Sequence, residues 1–317
     1  MPIPPPGWGA VEILIWDYYR ELVAQGHTVD IVNHMRRSQQ DQSGPHTKYS
    51  QDLIAAVNRG QYDFVHLHYD CLHHILPYLT CKKKGITSHY PYIDQPYRFG
   101  ADGFSAAFHG MCQNRGHTIY ALSRKDRDVF ARFAQDPANI RVIVNGANES
   151  EILPVAIPNK AFPDRSIYVA KVEDRKQQRK YCGTLSRHGV DFYGKCDDPG
   201  FRALDCYKGE LEHGELMRVV PQYGSLVLLS KGESDALVIK EALMAGLPVV
   251  TNGACIQDVD PVLRRYVDIV PDDKADDMDY ISELIVQNRA KQSLQADIRE
   301  YAVRHFSWKK LVAEYIV

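Results

Sequence analysis

The chain of 317 residues predicts an α/β protein of two domains, on three observations. Its length is enough for two full hydrophobic cores. Short apolar runs alternate with stretches of helical spacing from end to end, as strand–helix–strand units around parallel sheets do. Residues 225–250 read in succession as strand, tight turn, helix and strand, the unit that presents ligands at the carboxyl end of a parallel strand.

That last stretch organises the chain. The apolar run 225–229 suits a buried strand, and Lys231-Gly232 ends it with turn chemistry. A helix is expected from Ser234 or Asp235, burying Leu237, Val238, Ala242 and Ala245 until Gly246 and Pro248 stop it. Glu233 then sits in the loop after the strand, and Glu241 lies about two turns into the helix. The amides of Ser234, Asp235, Ala236 and Leu237 become helix-start donors with a positive dipole end behind them, suited to a phosphate or to sugar hydroxyls. Glu233 could accept hydrogen bonds from sugar hydroxyls, and Glu241 those of a ribose. The plainer reading of each is a solvated helix-face carboxylate.

At the amino end, Pro2 to Pro6 form a loop. Gly7 and Gly9 precede a helix whose apolar face is Val11, Leu14, Ile15, Tyr18 and Leu22 and which ends at Gly26. Two glycines before a helix let backbone approach a ligand closely, although such a turn is more often only a turn. T-V-D-I-V at 28–32 is expected to be a strand. Residues 36–50 are polar and read as a mobile loop, 52–57 as a short helix and 64–68 as a strand. His66 and His68 share one face of that strand, with His73 and His74 behind them. Two histidines without a carboxylate or thiol partner fall short of a metal's ligand set. Residues 85–91 read as a strand running into a loop with His89, and Tyr90, Tyr92 and Tyr97 could stack on a sugar ring or cover the core edge. A strand at 118–123, a helix at 125–133 and a strand at 140–146 follow.

Pro154, Pro158 and Pro163 mark a linker. The domains are therefore expected at 1–158 and 159–300, with 301–317 as a separate closing segment. The second opens on a strand at 166–170 that runs into Lys171 and Lys176, themselves readable as a solvated basic turn. Two short strands at 189–194 and 203–209, a helix at 210–220 and a mostly helical tail from 279 complete it.

Charge is balanced, 38 basic against 40 acidic residues, so nothing global points to nucleic acid or to an anionic membrane. No apolar run approaches the length of a membrane span, although a peripheral membrane contact is compatible with the chain, and no signal peptide opens it. The seven cysteines are odd in number, scattered and never spaced C-x-x-C. They read as free thiols in a reducing compartment, so a cytoplasmic protein is expected.

The run E-S-D-A-L-V-I-K-E-A-L-M-A-G-L-P-V-V from Glu233 resembles the E-x7-E segment of the retaining, GT-B-fold glycosyltransferases of glycosyltransferase family 4. Gly9-Ala10-Val11-Glu12 and Gly26-His27-Thr28-Val29 are similar to that family's G-G-x-E loop and G-H-x-V strand, and 142–146 to its V-I-x-N-G passage. The resemblance implies two Rossmann-like domains facing across a cleft, with 301–317 crossing back to the first; the strand that the family carries ahead of the proline-rich loop does not precede it here, so either the recorded start is late or the sheet has lost that strand. It implies that Glu233 lies by the donor sugar, that Glu241 binds the nucleotide ribose, and that the amides from Ser234 to Leu237 hold sugar and diphosphate. Gly7 and Gly9 fall in the donor-binding loop, and His89 faces the donor sugar. Lys171 stands where the family carries Arg, and Lys176 matches its Lys; both bind the diphosphate, Lys171 without the bidentate fork of a guanidinium. Asp235-Ala236 replaces the family's Phe-Gly.

The function implied is transfer of a sugar, with retention, from a nucleotide-diphosphate donor to a sugar, glycan or lipid acceptor. It needs no cofactor and no metal, and no enzymic nucleophile. Three rivals are distinguishable. A glycosidase needs two carboxylates facing each other across one bond, which a loop and a helix interior do not supply. A nucleotide-sugar epimerase of the same architecture consumes no acceptor. A catalytically impaired nucleotide-sugar-binding protein would bind without turnover.

Overall fold

The computed structural model describes residues 3–5, 9–33 and 46–315. They fall into two compact units, one running to residue 144 and taking in the C-terminal segment from 312, the other spanning 145–311. The division thus falls at 144/145, ahead of the proline-marked linker, and the returning segment is shorter than 301–317.

In the first unit a parallel sheet has the order β1 (Phe64–Leu67), β2 (Lys83–Ile86), β3 (Thr118–Ala121), β4 (Ile140–Val142). One face carries Ile86, Ile119, Ala121 and Ile140, all buried, with Phe108, Met111 and Phe130 packed beneath. The helices of the unit are α1 (Ala10–Ala24), α2 (Lys48–Gly60), α3 (Ser105–Cys112) and α4 (Arg124–Phe133). Ser123 caps α4, its hydroxyl accepting the Asp126 N–H at 3.0 Å.

Two expectations are corrected here. Residues 28–32 belong to no strand; they have no regular secondary structure and are mostly exposed, tethered where the Tyr62 hydroxyl donates to Asp30 Oδ2 at 2.7 Å. A strand needs a neighbour to pair with, and β1, which pairs only with β2, is the edge of the described sheet. The helix at 52–57 is longer: Thr47 caps it by accepting the Ser50 N–H at 3.2 Å, so 48–50 are helical and not loop. The remainder of the expected mobile loop, 36–45, lies outside the described residues.

The second unit holds a parallel sheet of order β6-β5-β7-β8-β9, formed by β5 (Phe162–Val169), β6 (Val190–Tyr193), β7 (Tyr223–Leu228), β8 (Val249–Asn252) and β9 (Val267–Val270). All six residues of central β7 are buried, the signature of a parallel strand covered on both faces. The expected strand at 203–209 is reduced to an isolated bridge of Tyr207 to Phe192, following the single turn α6 (Pro199–Arg202). The other helices are α5 (Gln178–Leu185), α7 (His213–Val219), α8 (Leu237–Met244), α9 (Met278–Ala290), α10 (Gln295–Phe306) and, passing into the first unit, α11 (Trp308–Tyr315).

The end of α8 shows why a glycine is needed. Gly246 N–H donates to Leu243 O and Leu247 N–H to Ala242 O, both at 2.9 Å, with Gly246 at φ +77°. This is a Schellman closure, whose left-handed position suits glycine. A Cβ there would also meet the Gln295 carbonyl oxygen at 2.8 Å.

Candidate active site

The chain passes from β5 outward to β6 and then back across to β7 on the other side of β5. Strand order therefore reverses between β5 and β7, and the carboxyl ends of those two strands are where an open α/β sheet leaves a crevice for ligands. The loop after β5 carries Lys171 to Lys176; the loop after β7 carries Glu233. A buried hydroxyl joins them. The hydroxyl of Tyr168, at the end of β5, has Lys176 O at 2.7 Å and Leu229 O at 2.8 Å as acceptors for its one proton, and accepts the Leu229 N–H at 2.9 Å. Ser230 adds to the seam, its hydroxyl donating to Arg175 O at 3.0 Å while Lys231 N–H reaches the same carbonyl at 2.8 Å.

Glu233, 9% exposed, is held by two cations. Lys176 Nζ donates to its Oε1, and Arg175 Nη1 to its Oε2 at 3.2 Å. Arg175 also donates to Gly232 O at 2.8 Å and to Glu173 Oε1 at 2.8 Å, which fixes its guanidinium against the loop. Sequence reasoning missed Arg175, whose place in the charged run Glu173-Asp174-Arg175-Lys176 made it look like one more solvated cation. Lys171 is brought less close: its ammonium lies 3.8 Å from Glu173 and is half exposed. Beneath the loop, Glu233 N–H donates to Ala254 O at 3.1 Å, and burial pushes the neighbouring Cys255 thiol up to about 12.

Helix α8 starts at Leu237, with Ala236 as an N-cap that has no side-chain hydrogen bond, two to three residues later than expected. The reason is Asp235. Its carboxylate does not turn back to cap the helix; it accepts the Asn145 N–H at 2.7 Å and pairs with Lys240. Asn145 Nδ2 donates in turn to Asp235 O at 2.9 Å. The Asp235 side chain thus ties the loop to the start of the unit. The backbone amides at the head of α8 still point out of the helix start without intrahelical acceptors. Ser234 is half-buried at the same place. Glu241 is buried and its Oε1 lies 2.9 Å from His213 Nε2 of α7. No local signal marks His213, since the pair forms across 28 residues.

His89 belongs to the first unit, with His66 and His68. His68 Nδ1 is 3.4 Å from His89 Nε2, and His66 Nε2 is 2.9 Å from Thr87 Oγ1. Burial lowers His66 to about 3 and His89 to about 4, and lowers His68 well below the ordinary histidine value, helped by its two neighbours. His74 turns instead to the Ser50 hydroxyl at 3.1 Å. Among the described residues no group of three or more His, Cys, Asp or Glu side chains could hold a metal ion. Tyr90 stacks on Phe104 with centroids 4.0 Å apart, and the Arg98 guanidinium lies over buried Tyr92, so both cover the core edge; Tyr97 is exposed. Gly9 accepts the first hydrogen bond of α1, from Ile13 N–H at 2.8 Å. Gly7 lies outside the described residues. All seven cysteines are free thiols, and no described helix is long and apolar enough to cross a membrane.

This architecture, an α/β chain with two parallel sheets, is that of the GT-B glycosyltransferases. Residues 11–151 match the family model Glycosyltransferase Family 4. The sucrose-phosphate synthase of Thermosynechococcus elongatus is similar over 97% of this chain and 92% of its own, with TM-score 0.72 and 16% identity. WaaG, a glycosyltransferase involved in lipopolysaccharide biosynthesis, is similar over 100% of this chain and 97% of its own, with TM-score 0.70 and 14% identity. Anabaena HepE in complex with UDP and glucose is similar over 98% and 96%, with TM-score 0.67 and 14% identity. No curated protein matches the chain by sequence.

Proposed function

We propose that the protein is a retaining glycosyltransferase that moves a sugar from a nucleotide-diphosphate donor to a sugar, glycan or lipid acceptor. The observation that carries this reading is the meeting of Lys176, Arg175 and Glu233 at the strand-order reversal, beside the amides that open α8. A departing diphosphate is an anion, and fixed cations and helix-start amides stabilise it without reorganising as charge develops. Glu233 serves as the carboxylate by the donor sugar, and its two ion pairs keep Lys176 and Arg175 in place until the phosphates arrive. Lys171 adds charge at the outer edge. Ser234, Asp235, Ala236 and Leu237 contribute backbone donors, and Glu241, set by His213, takes the ribose hydroxyls. Gly7 and Gly9 keep the donor-loop role, and His89 that of a ring facing the sugar, tested by His89→Ala.

With positive charge already supplied by side chains and amides, the reaction proceeds without a metal, by attack of the acceptor on the face the leaving group vacates. HepE, crystallised with UDP-glucose and with UDP and glucose, supports a nucleotide sugar as donor. The free thiols support the cytoplasm as its compartment. The test is sugar transfer by Glu233→Ala and Lys176→Ala: both should lose most or all transfer while remaining folded, and unchanged transfer by both excludes this site. Conversion of the donor with no acceptor consumed would identify an epimerase instead.

A further inference from the structure

We propose a second, anion-binding site in the first unit, for a phosphate monoester that carries an aromatic or apolar group. The register pairs Phe64 with Lys83, His66 with Gly85, Gly85 with Thr118 and Tyr120 with Arg141. Partners across a parallel ladder point to the same side, so Phe64, Lys83, Tyr120 and Arg141 share the sheet face opposite the apolar core. Along this face, at the amino ends of the strands, lies a cavity of about 310 Å³. That is the lower end of the range for small-molecule sites.

Its lining separates into two kinds of chemistry. Lys82, Lys83 and Arg141 are exposed cations at its wall. Lys84, paired with Val65, starts from the other face of the sheet and spends its ammonium on Leu76 O at 3.1 Å and Leu79 O at 3.2 Å. Among the described residues no carboxylate lines the cavity, in a chain whose acidic residues outnumber its basic ones. The other kind is aromatic. Phe64 and Tyr120 meet edge to face with centroids 6.3 Å apart, and the Tyr315 ring packs 5.3 Å from Phe64 and 5.5 Å from Tyr120. Cations at the rim with rings at the back fit a dianionic head and an apolar body. The residues that line the cavity all belong to the first unit, whereas Lys176 and Glu233 belong to the second, so the two proposed sites share no residue.

Phenyl phosphate, titrated into the full-length protein by calorimetry, is the probe. Wild type should bind it saturably, and Lys83→Glu/Arg141→Glu should lower that binding about tenfold or more, both in the wild-type background and in Lys176→Ala, where the donor site is disabled. Both reversed side chains are exposed, and circular dichroism checks the fold; if that variant does not fold, Lys82→Gln/Lys83→Gln replaces it with the same expectation. Absence of saturable binding, or binding that the cavity substitutions leave unchanged in both backgrounds, would overturn the proposal. Co-sedimentation with phosphatidic acid vesicles separates the sources. Vesicle binding lost in the cavity variant assigns a lipid headgroup, and phenyl phosphate binding without vesicle binding assigns a soluble ester.

Discussion

Lys176→Met removes one of two cations from a carboxylate that is only 9% exposed. Lys176 is itself 15% exposed and Arg175 31%, so Lys176 is the better-buried partner and the more strongly coupled. At contact distance and an effective dielectric near 20 the gross attraction is about 5 kcal/mol. Desolvation of both groups offsets most of it. Because Arg175 remains at 3.2 Å, Glu233 is not stranded, and the expected loss of stability is about 1–3 kcal/mol, below the cost of breaking an isolated buried pair. Glu233→Gln leaves Lys176 and Arg175 side by side without their carboxylate and should cost a similar amount. Urea unfolding of wild type, both single variants and the double variant closes the cycle, with an expected coupling of about 1–3 kcal/mol. In transfer assays the same Lys176→Met should lower kcat by about 10²–10³-fold, the effect of removing one preorganised charge from a developing anion. Single effects that add to within about 0.5 kcal/mol, or wild-type turnover by Lys176→Met, would refute the reasoning.

Two further outcomes follow from the fold. His66 and His89 are lowered by burial to about 3 and about 4, and His68 is lowered as well, so the unfolded chain binds more protons than the folded one below the ordinary histidine value. The stability these neutral rings contribute is complete above about pH 6.5 and is lost as pH falls toward 4. It amounts to up to about 3 kcal/mol at His89, less where the half-buried ring keeps contact with water. Hydrogen exchange at β1 and β2 should accelerate over that interval, and His89→Gln should flatten the dependence. Gly246→Ala forces a left-handed alanine against the Gln295 carbonyl and should cost about 2–4 kcal/mol, read as a lowered urea midpoint; an unchanged midpoint would contradict the closure described for α8.

What was legible in the sequence was whatever is decided locally. The buried strands β7 and β8 and the buried end of β5 are apolar runs bounded by turn residues. Glu233 and Lys176 were singled out because their spacing resembles a known pattern, and the structure brings the two side chains together. What was not legible depends on partners far along the chain. Residues 28–32 alternate like a strand, yet pair with none. Asp235 has the chemistry of a cap, but Asn145, 90 residues earlier, takes its carboxylate, so α8 begins late. Arg175 and His213 acquire meaning only when β5 and β7 bring their loops together and α7 packs beside α8.

The most direct test of the account is calorimetric titration of UDP-, GDP-, ADP- and TDP-sugars into the wild-type protein and into Lys176→Ala. At least one donor should bind the wild type, with affinity lowered about tenfold or more in the variant. If no nucleotide sugar binds, or if the variant binds as tightly as wild type, the diphosphate does not rest at Lys176 and the site lies elsewhere.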